Sequence, residues 1–92
     1  MIRNFRHNGL RRFWERGERR RVPQEYTAKI QRILDSLDEA MMPDDMNRQG
    51  FGLHRLAGDR AGYWAVTVSA NWRIVFRFQE GDVCDVDLID YH

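Results

Sequence analysis

Apolar and polar residues alternate in three runs along residues 62–92, the last third of the chain. Alternation with a period of two is typical of a β-strand that buries one side. The runs are separated by SerAlaAsn and GluGlyAsp, in which Asn71 and Gly81 tolerate the positive φ of a hairpin turn. We predict three antiparallel strands whose apolar face is made by Trp64, Val66, Val68, Trp72, Ile74, Phe76, Phe78, Cys84, Val86 and Leu88. The other face carries Arg73, Val75, Arg77, Asp85 and Asp87.

Two upstream segments repeat their apolar residues at steps of three and four, which is typical of helices with one buried side. A short helix is predicted between Asn8, as the N-cap, and Gly17, which ends it. Its inward residues are Leu10, Phe13 and Trp14. A longer helix is predicted to open with Pro23 and to run to about Met41, ahead of Pro43. Its buried stripe consists of Tyr26, Ile30, Ile33, Leu34, Leu37, Ala40 and Met41.

The remaining segments complete a small sheet. Residues 1–5 are predicted to form an edge strand with Ile2 as its core contact, and residues 53–56 a short strand that holds His54. Met46 is the predicted inward anchor of the intervening loop. Helices early in the chain and strands late indicate an α+β fold, with two helices on one face of a mostly antiparallel sheet of four to five strands. A chain of 92 residues makes one domain, residues 1–92.

Composition narrows the class of protein further. A hydrophobic content of 42% is enough for a folded core and argues against disorder. One cysteine cannot form an internal disulfide, and no basic and apolar leader opens the chain. No apolar run approaches the roughly 20 residues that span a membrane. These features predict a soluble, cytoplasmic protein that does not engage a membrane.

The charge of the chain is divided between its two parts. Residues 1–34 hold ten basic and three acidic residues, a net charge of +7, whereas residues 35–92 have a net charge of −6. Blocks of one sign indicate surfaces for oppositely charged partners. Fourteen of the fifteen basic residues are arginine, which suits phosphate contacts, although a GC-rich codon bias is the better explanation of that excess.

Three side chains in the strand region suit RNA cleavage by attack of the 2′-hydroxyl. That reaction needs a base, an acid and positive charge beside the phosphorane, and histidine and arginine supply these at neutral pH. His54 and His92 are candidates for proton transfer, and Arg73 lies mid-sheet on the polar face. The histidines and Cys84 lack the paired spacing of metal ligands, so neither a metal nor another cofactor is expected.

Several short motifs occur together in the second half of the chain: LeuHis at 53–54, GlyAsp at 58–59, GlyTyrTrp at 62–64, AsnTrpArg at 71–73 and AspTyrHis at 90–92. In this order and spacing, after a short strand and two helices, they make the chain resemble the HigB-type toxins of the RelE superfamily over essentially its whole length. The resemblance implies a RelE-like fold and a ribosome-dependent endoribonuclease that cuts messenger RNA in the decoding site. It also implies a co-expressed, HigA-like helix-turn-helix antitoxin, whose complex with the toxin binds operator DNA.

The same resemblance assigns roles to individual residues. His54, Asp90, Tyr91 and His92 match the catalytic positions, without separating the base from the acid. Substrate binding falls to Arg73, which matches the phosphate-contacting arginine, to its neighbour Asn71 and to Arg55. Relatives often have lysine where this chain has Ala57, proline at Arg55 and, in some cases, a basic residue at Val68. Arg55 is the expected replacement for the missing lysine charge.

Strand parity complicates this site. Alternation places Tyr91 with Ile89 on one side and Asp90 with His92 on the other, so a twist or bulge near the end is needed to gather them. Two other functions remain open: a gyrase-poisoning toxin of the same fold, similar to ParE, and a non-catalytic module that binds RNA or the antitoxin. A gyrase binder does not need two histidines beside an arginine, so a requirement for His92 would discriminate the ribonuclease from the gyrase-poisoning toxin.

Overall fold

A computed structural model of the protein describes residues 1–91. It contains the helices α1 (Asn8–Arg16) and α2 (Thr27–Glu39) and the strands β1 (His54–Arg55), β2 (Trp64–Thr67), β3 (Trp72–Gln79) and β4 (Asp82–Asp90). Each strand pairs antiparallel with the next, in the order β1-β2-β3-β4. The first residues run parallel to β4 through two isolated bridges, Ile2 to Val83 and Phe5 to Val86. The predicted α+β arrangement is therefore confirmed.

Both helices pack on one side of the sheet, which we call the helix face. The core between the helices and this face is made by buried side chains from both helices, from the turn that contains Met46 and from β2, β3 and β4. These residues are Leu10, Phe13, Ile30, Ile33, Leu34, Leu37, Met46, Val66, Ile74, Phe76, Val83, Val86 and Leu88. Met46 is fully buried, as its predicted role as loop anchor requires. Within residues 1–91, no helix is both long enough and apolar enough to cross a membrane.

The helix boundaries differ from the predictions at three points. His7, not Asn8, is the N-cap of α1, because the His7 Nδ1 accepts a hydrogen bond from the Leu10 amide at 2.8 Å. The α-helix after Pro23 starts only at Thr27, since a 3₁₀ turn over Gln24–Tyr26 intervenes. Met41 is 68% exposed, because the helix ends at Glu39 and the chain then becomes extended, which stops the helical periodicity.

The two hairpin turns use different chemistry. The β3–β4 turn places Glu80 and Gly81 at positive φ, 53° and 82°, so the prediction for Gly81 is confirmed. Asn71 does not have a positive φ, and that prediction is wrong. Instead, the Ser69 Oγ accepts hydrogen bonds from the amides of Asn71 and Trp72 at 3.3 and 3.2 Å, which closes the β2–β3 turn without a left-handed residue.

A β-bulge interrupts the pairing of β3 with β4. Between the pairs Val75–Asp87 and Arg77–Cys84, β4 contains one more residue than β3, and Asp85 has a φ of 54°. The extra residue changes the parity of β4. Cys84 is buried, but its pairing with Arg77 places it on the side away from the helices, contrary to the prediction.

Candidate functional site

The side of the sheet away from the helices, which we call the open face, carries the candidate side chains. Strand register aligns His54, Ala65, Val75 and Asp87 in one row across it. Arg73 belongs to the next row on the same face, two strands and two residues away from His54. Standard sheet spacings put the Cα atoms of these two residues about 12 Å apart. Both side chains therefore face the same solvent region.

The imidazole of His54 is exposed and is held through one ring nitrogen. Its Nδ1 lies 2.9 Å from the carbonyl oxygen of Gly52. A carbonyl can only accept, so Nδ1 carries the proton in this hydrogen bond, and the neutral ring keeps Nε2 as an acceptor. This is the tautomer that a general base at Nε2 requires.

Gly52 is suited to this position by its backbone conformation. Its φ of 58° lies in the left-handed region, where a side chain is strained. A Cβ added here would also meet the Thr67 Oγ1 at 3.0 Å. The carbonyl that orients His54 therefore belongs to a residue with no room for a side chain.

Arg73 lies at the β2–β3 turn end of its strand, where carbonyl groups hold its guanidinium. Its Nη1 donates to the carbonyl oxygens of Ser69, Ala70 and Trp72, the last two at 3.3 and 3.1 Å. Within residues 1–91, Nε and Nη2 make no hydrogen bond. The cation is thus fixed in place with two nitrogens left for a ligand.

Tyr91 stacks on this guanidinium. The Arg73 Cζ lies 5.4 Å from the centre of the Tyr91 ring, a cation–π contact. The Tyr91 amide donates to the carbonyl of Asn71 at 2.5 Å, which ties the residue to the β2–β3 turn. Tyr91 is nevertheless 42% exposed, so one side of its ring is open to a partner. The structure brings Asn71, Arg73 and Tyr91 together.

Two other predicted site residues lie on the opposite side of the sheet. Asp90 pairs with Trp72 and Arg55 pairs with Trp64, and both tryptophans pack against the helix-face core. The Arg55 guanidinium carbon lies 5.2 Å from the centre of the Trp64 ring. Strand parity predicted a bulge near the end of β4, to bring Asp90 and Tyr91 to the same side. The bulge instead occurs at Asp85, five residues earlier, so Asp90 and Tyr91 stay on opposite sides. His92 lies outside the described residues.

Asp85, which the alternation had placed on the face away from the helices, has a structural role that the sequence did not reveal. Its carboxylate accepts hydrogen bonds from Asn4 at 2.7 Å, Arg77 at 2.6 Å and Tyr63 at 3.2 Å. The hydrogen bond from Asn4, followed by that from Arg77, lowers the pKa of Asp85 to about 2. The only trace of the bulge in the sequence is the spacing of three between Val83 and Val86.

His, Cys, Asp and Glu side chains within residues 1–91 form no group of three that could hold a metal ion. The polar groups described above are instead a fixed guanidinium, an oriented imidazole and an aromatic ring on one sheet face. Such a set can accept a proton, hold an anionic oxygen and stack on a planar group.

Two solved structures share this fold. The YoeB–YefM complex from Staphylococcus aureus has a TM-score of 0.64 at 14% identity, over 100% of this chain and 98% of the other. The YoeB dimer from Staphylococcus aureus has a TM-score of 0.56 at 16% identity, over 90% of this chain and 83% of the other. The architecture is thus the α+β fold of RelE-like toxins.

Sequence comparison gives the family itself. A family model described as a RelE-like toxin of the type II toxin-antitoxin system HigB matches residues 3–92. The protein named Endoribonuclease HigB from Proteus vulgaris is 44% identical over 92 residues, which cover the whole of both chains. The chain belongs to the HigB-like family of toxins of type II toxin-antitoxin systems, which confirms the resemblance inferred from the motifs.

Proposed function

We propose that this toxin is an endoribonuclease that cleaves messenger RNA in the decoding site of the ribosome, without a metal ion. The observation that supports this function best is the shared open face of His54 and the Arg73–Tyr91 stack. An imidazole with a free acceptor nitrogen and a pinned guanidinium are two of the three groups that 2′-hydroxyl attack requires. The name of the Proteus vulgaris relative points to the same reaction.

In the proposed reaction, His54 Nε2 removes the proton of the 2′-hydroxyl. The 2′-oxygen then bonds to the adjacent phosphorus while the bond from phosphorus to the 5′-oxygen breaks. His92 donates a proton to the departing 5′-oxygen, so the products are a 2′,3′-cyclic phosphate and a 5′-hydroxyl end. Arg73 stabilises the charged phosphorane through Nε and Nη2, and Tyr91 stacks on a nucleotide. Asp90 acts with His92, because the Gly52 carbonyl already orients His54 and Asp90 lies on the other side of the sheet from His54.

A role for the ribosome agrees with the shape and charge of the molecule. The candidate side chains lie on the face of a sheet, about 12 Å apart at His54 and Arg73. An RNA strand on such a surface needs an external support to hold the reacting atoms in line. The excess of ten basic over three acidic residues in residues 1–34 suits a polyanion such as ribosomal RNA. Because ribosomes translate in the cytoplasm, the proposed function also implies that the toxin acts there.

We further propose that a helix-turn-helix antitoxin of the HigA type neutralises the toxin and carries it to operator DNA. Family membership supports an antitoxin partner, and the structural relative from Staphylococcus aureus is a complex of YoeB with YefM. A small helix-turn-helix gene beside the toxin gene, whose product co-purifies with the toxin, is the expected finding.

The test of the reaction compares His54→Ala, Arg73→Ala and deletion of His92 with the control Asp44→Asn, an exposed residue of the turn Pro43–Met46. Single-turnover cleavage on programmed ribosomes should slow by 10²-fold or more for the histidine changes, because general acid–base catalysis contributes about 10²–10⁴. Arg73→Ala should slow cleavage at low salt, and its deficit relative to the wild type should shrink at high salt, because one phosphate contact fewer lowers the salt dependence. Mapping of 5′ ends after induction identifies the cleavage sites.

Undiminished growth inhibition by the His92 deletion would contradict the nuclease proposal. A supercoiling assay then discriminates between the alternatives. Inhibition of gyrase by the deletion variant would favour the ParE-like activity, and its absence would favour a non-catalytic binding module.

A further inference from the structure

The row that begins at His54 ends beside a cavity on the same open face. The cavity has a volume of about 160 Å³. Its lining includes Arg6, Asp59, Arg60, Tyr63, Val75 and Asp87. Val75 and Asp87 belong to the row of His54, so the cavity adjoins the proposed cleavage site on the side away from Tyr91.

One wall of this cavity is a fixed aromatic ring with a guanidinium over it. The Arg6 guanidinium carbon lies 6.0 Å from the centre of the Tyr63 ring. The Tyr63 hydroxyl donates to the Asp85 carboxylate at 3.2 Å, and Arg77 holds the same carboxylate at 2.6 Å. The Arg6 amide donates to the Val86 carbonyl at 2.8 Å, which secures the segment that carries Arg6. The wall is therefore formed before any ligand arrives.

The charges around the cavity balance. Arg77 already pairs with Asp85, which leaves Arg6 and Arg60 against Asp59 and Asp87. A phosphate would meet two carboxylates here, and a cation would meet two guanidinium groups. The site therefore favours an uncharged ligand that both donates and accepts hydrogen bonds.

Unused polar groups point to the shape of that ligand. Asp87 Oδ1 accepts from the Leu88 amide at 2.9 Å, and within residues 1–91 its Oδ2 has no hydrogen bond. The guanidinium groups of Arg6 and Arg60 also make no hydrogen bond to any residue of the range 1–91. A planar group can stack on the Arg6–Tyr63 pair, donate to the free Asp87 oxygen and accept from an arginine. Nucleobases recognised in single-stranded RNA have these properties.

We propose that this cavity binds a nucleobase of the RNA strand next to the scissile phosphate and favours bases that carry an exocyclic amino group. Adenine, cytosine and guanine each offer an amino donor to the free oxygen of Asp87, whereas uracil offers only an imino donor. This proposal rests on the proposed nuclease function, because it places the base relative to the bond that His54 attacks. It makes Asp87 a specificity-determining residue of the toxin.

The first test measures base preference on the ribosome. Messages carrying each of the four bases at each position around the cleavage site are compared for the wild type, Asp87→Asn and the matched control Asp44→Asn. Asparagine keeps the Oδ1 acceptor for the Leu88 amide, so the fold is expected to persist, and thermal unfolding checks this. At one position, the wild-type preference for amino-bearing bases over uracil should be about tenfold, the discrimination of a well-placed hydrogen bond to a base edge. Asp87→Asn should abolish that preference, and the control should retain it.

A second test needs no ribosome. AMP, CMP, GMP and UMP are titrated separately into the full-length toxin while NMR follows the amide signals of Tyr63, Val75 and Asp87. The three amino-bearing nucleotides should shift these signals, and Arg60→Ala should raise the dissociation constant severalfold. Shifts confined to other surfaces, or equal shifts with UMP, would overturn the proposal.

The two tests separate the subsite from the reaction. RNA cleavage by the wild type with an unchanged base preference in Asp87→Asn would refute the subsite and leave the nuclease intact. Nucleotide shifts at Tyr63 and Val75 in a toxin that cuts no RNA would refute the nuclease and leave a base-binding cavity.

Discussion

Replacing Asp85 by asparagine tests whether a single carboxylate holds the bulge of β4 in place. Asparagine tolerates the positive φ of this position and can still accept the hydrogen bond from Asn4 through Oδ1. Its amide group, however, would present donors to the Arg77 Nε and the Tyr63 hydroxyl, which now donate to Oδ2. The substitution thus removes the charge and the hydrogen bonds from Arg77 and Tyr63 without changing the size of the side chain.

The magnitude follows from the pKa of Asp85. The folded protein lowers that pKa from 3.8 to about 2, chiefly through the hydrogen bonds from Asn4 and Arg77. At about 1.4 kcal/mol per pKa unit, the ionised carboxylate contributes about 2 kcal/mol to the free energy of unfolding. Because the folded pKa is depressed, this contribution is complete above about pH 4 and disappears as the pH falls towards 2.

Urea unfolding of the wild type and Asp85→Asn between pH 7 and pH 2.5 measures this contribution. The variant should be less stable by about 2 kcal/mol at pH 7, and the difference should shrink steadily below pH 4. Asp82→Asn is the control, since Asp82 pairs with exposed Arg3 at 2.7 Å in water and should lose far less. A difference that is independent of pH, or no larger than that of the control, would refute the role given to the carboxylate.

The remaining predictions concern the helix cap and the open face. His7→Ala should lower the free energy of unfolding by about 1 kcal/mol through loss of the N-cap. Because burial lowers the pKa of His7, its contribution is present above about pH 6.5 and should decline as urea unfolding is repeated at lower pH. Gly52→Ala and Gly50→Ala should each cost about 1–2 kcal/mol at their positive φ. Only Gly52→Ala should also slow RNA cleavage, because its carbonyl orients His54 and its new methyl group meets a hydroxyl at 3.0 Å. Arg73→Lys should slow single-turnover cleavage at least tenfold, since an ammonium cannot both hold three carbonyls and offer a planar fork to phosphate; wild-type rates would contradict this.

Hydrophobic periodicity predicted the helices, the strands and the side of the sheet that each strand buries. It failed only at the start of β4, because the inserted residue reverses the face of the residues before it: Cys84 lies on the open face, whereas Val86 and Leu88 pack in the helix-face core as predicted. Val83, which the alternation left out of the apolar face, is fully buried. A spacing of three between Val83 and Val86, followed by two to Leu88, was the available signal.

The candidate site was predicted unevenly for the same physical reasons. Parity predicted that Tyr91 shares a side with Ile89, and the pairing of Ile89 with Arg73 confirms that this is the face of the guanidinium. The roles of Asp90 and Arg55, which the register places on the other face, stay predictions. The cavity beside Asp87 depends on contacts between the two ends of the chain, and no local pattern in the sequence encodes those.

The pairing of residues 1–5 with β4 also determines when the molecule can become complete during translation. Ribosomes make the amino end first, so Ile2 and Phe5 have no strand partners until Val83 and Val86 emerge from the exit tunnel. The stack on Arg73 needs Tyr91, which is synthesised later still. A nascent or prematurely terminated chain that lacks β4 therefore cannot pair residues 1–5 with the sheet and cannot form the Arg73–Tyr91 stack. The proposed active face is thus complete only when synthesis is nearly finished.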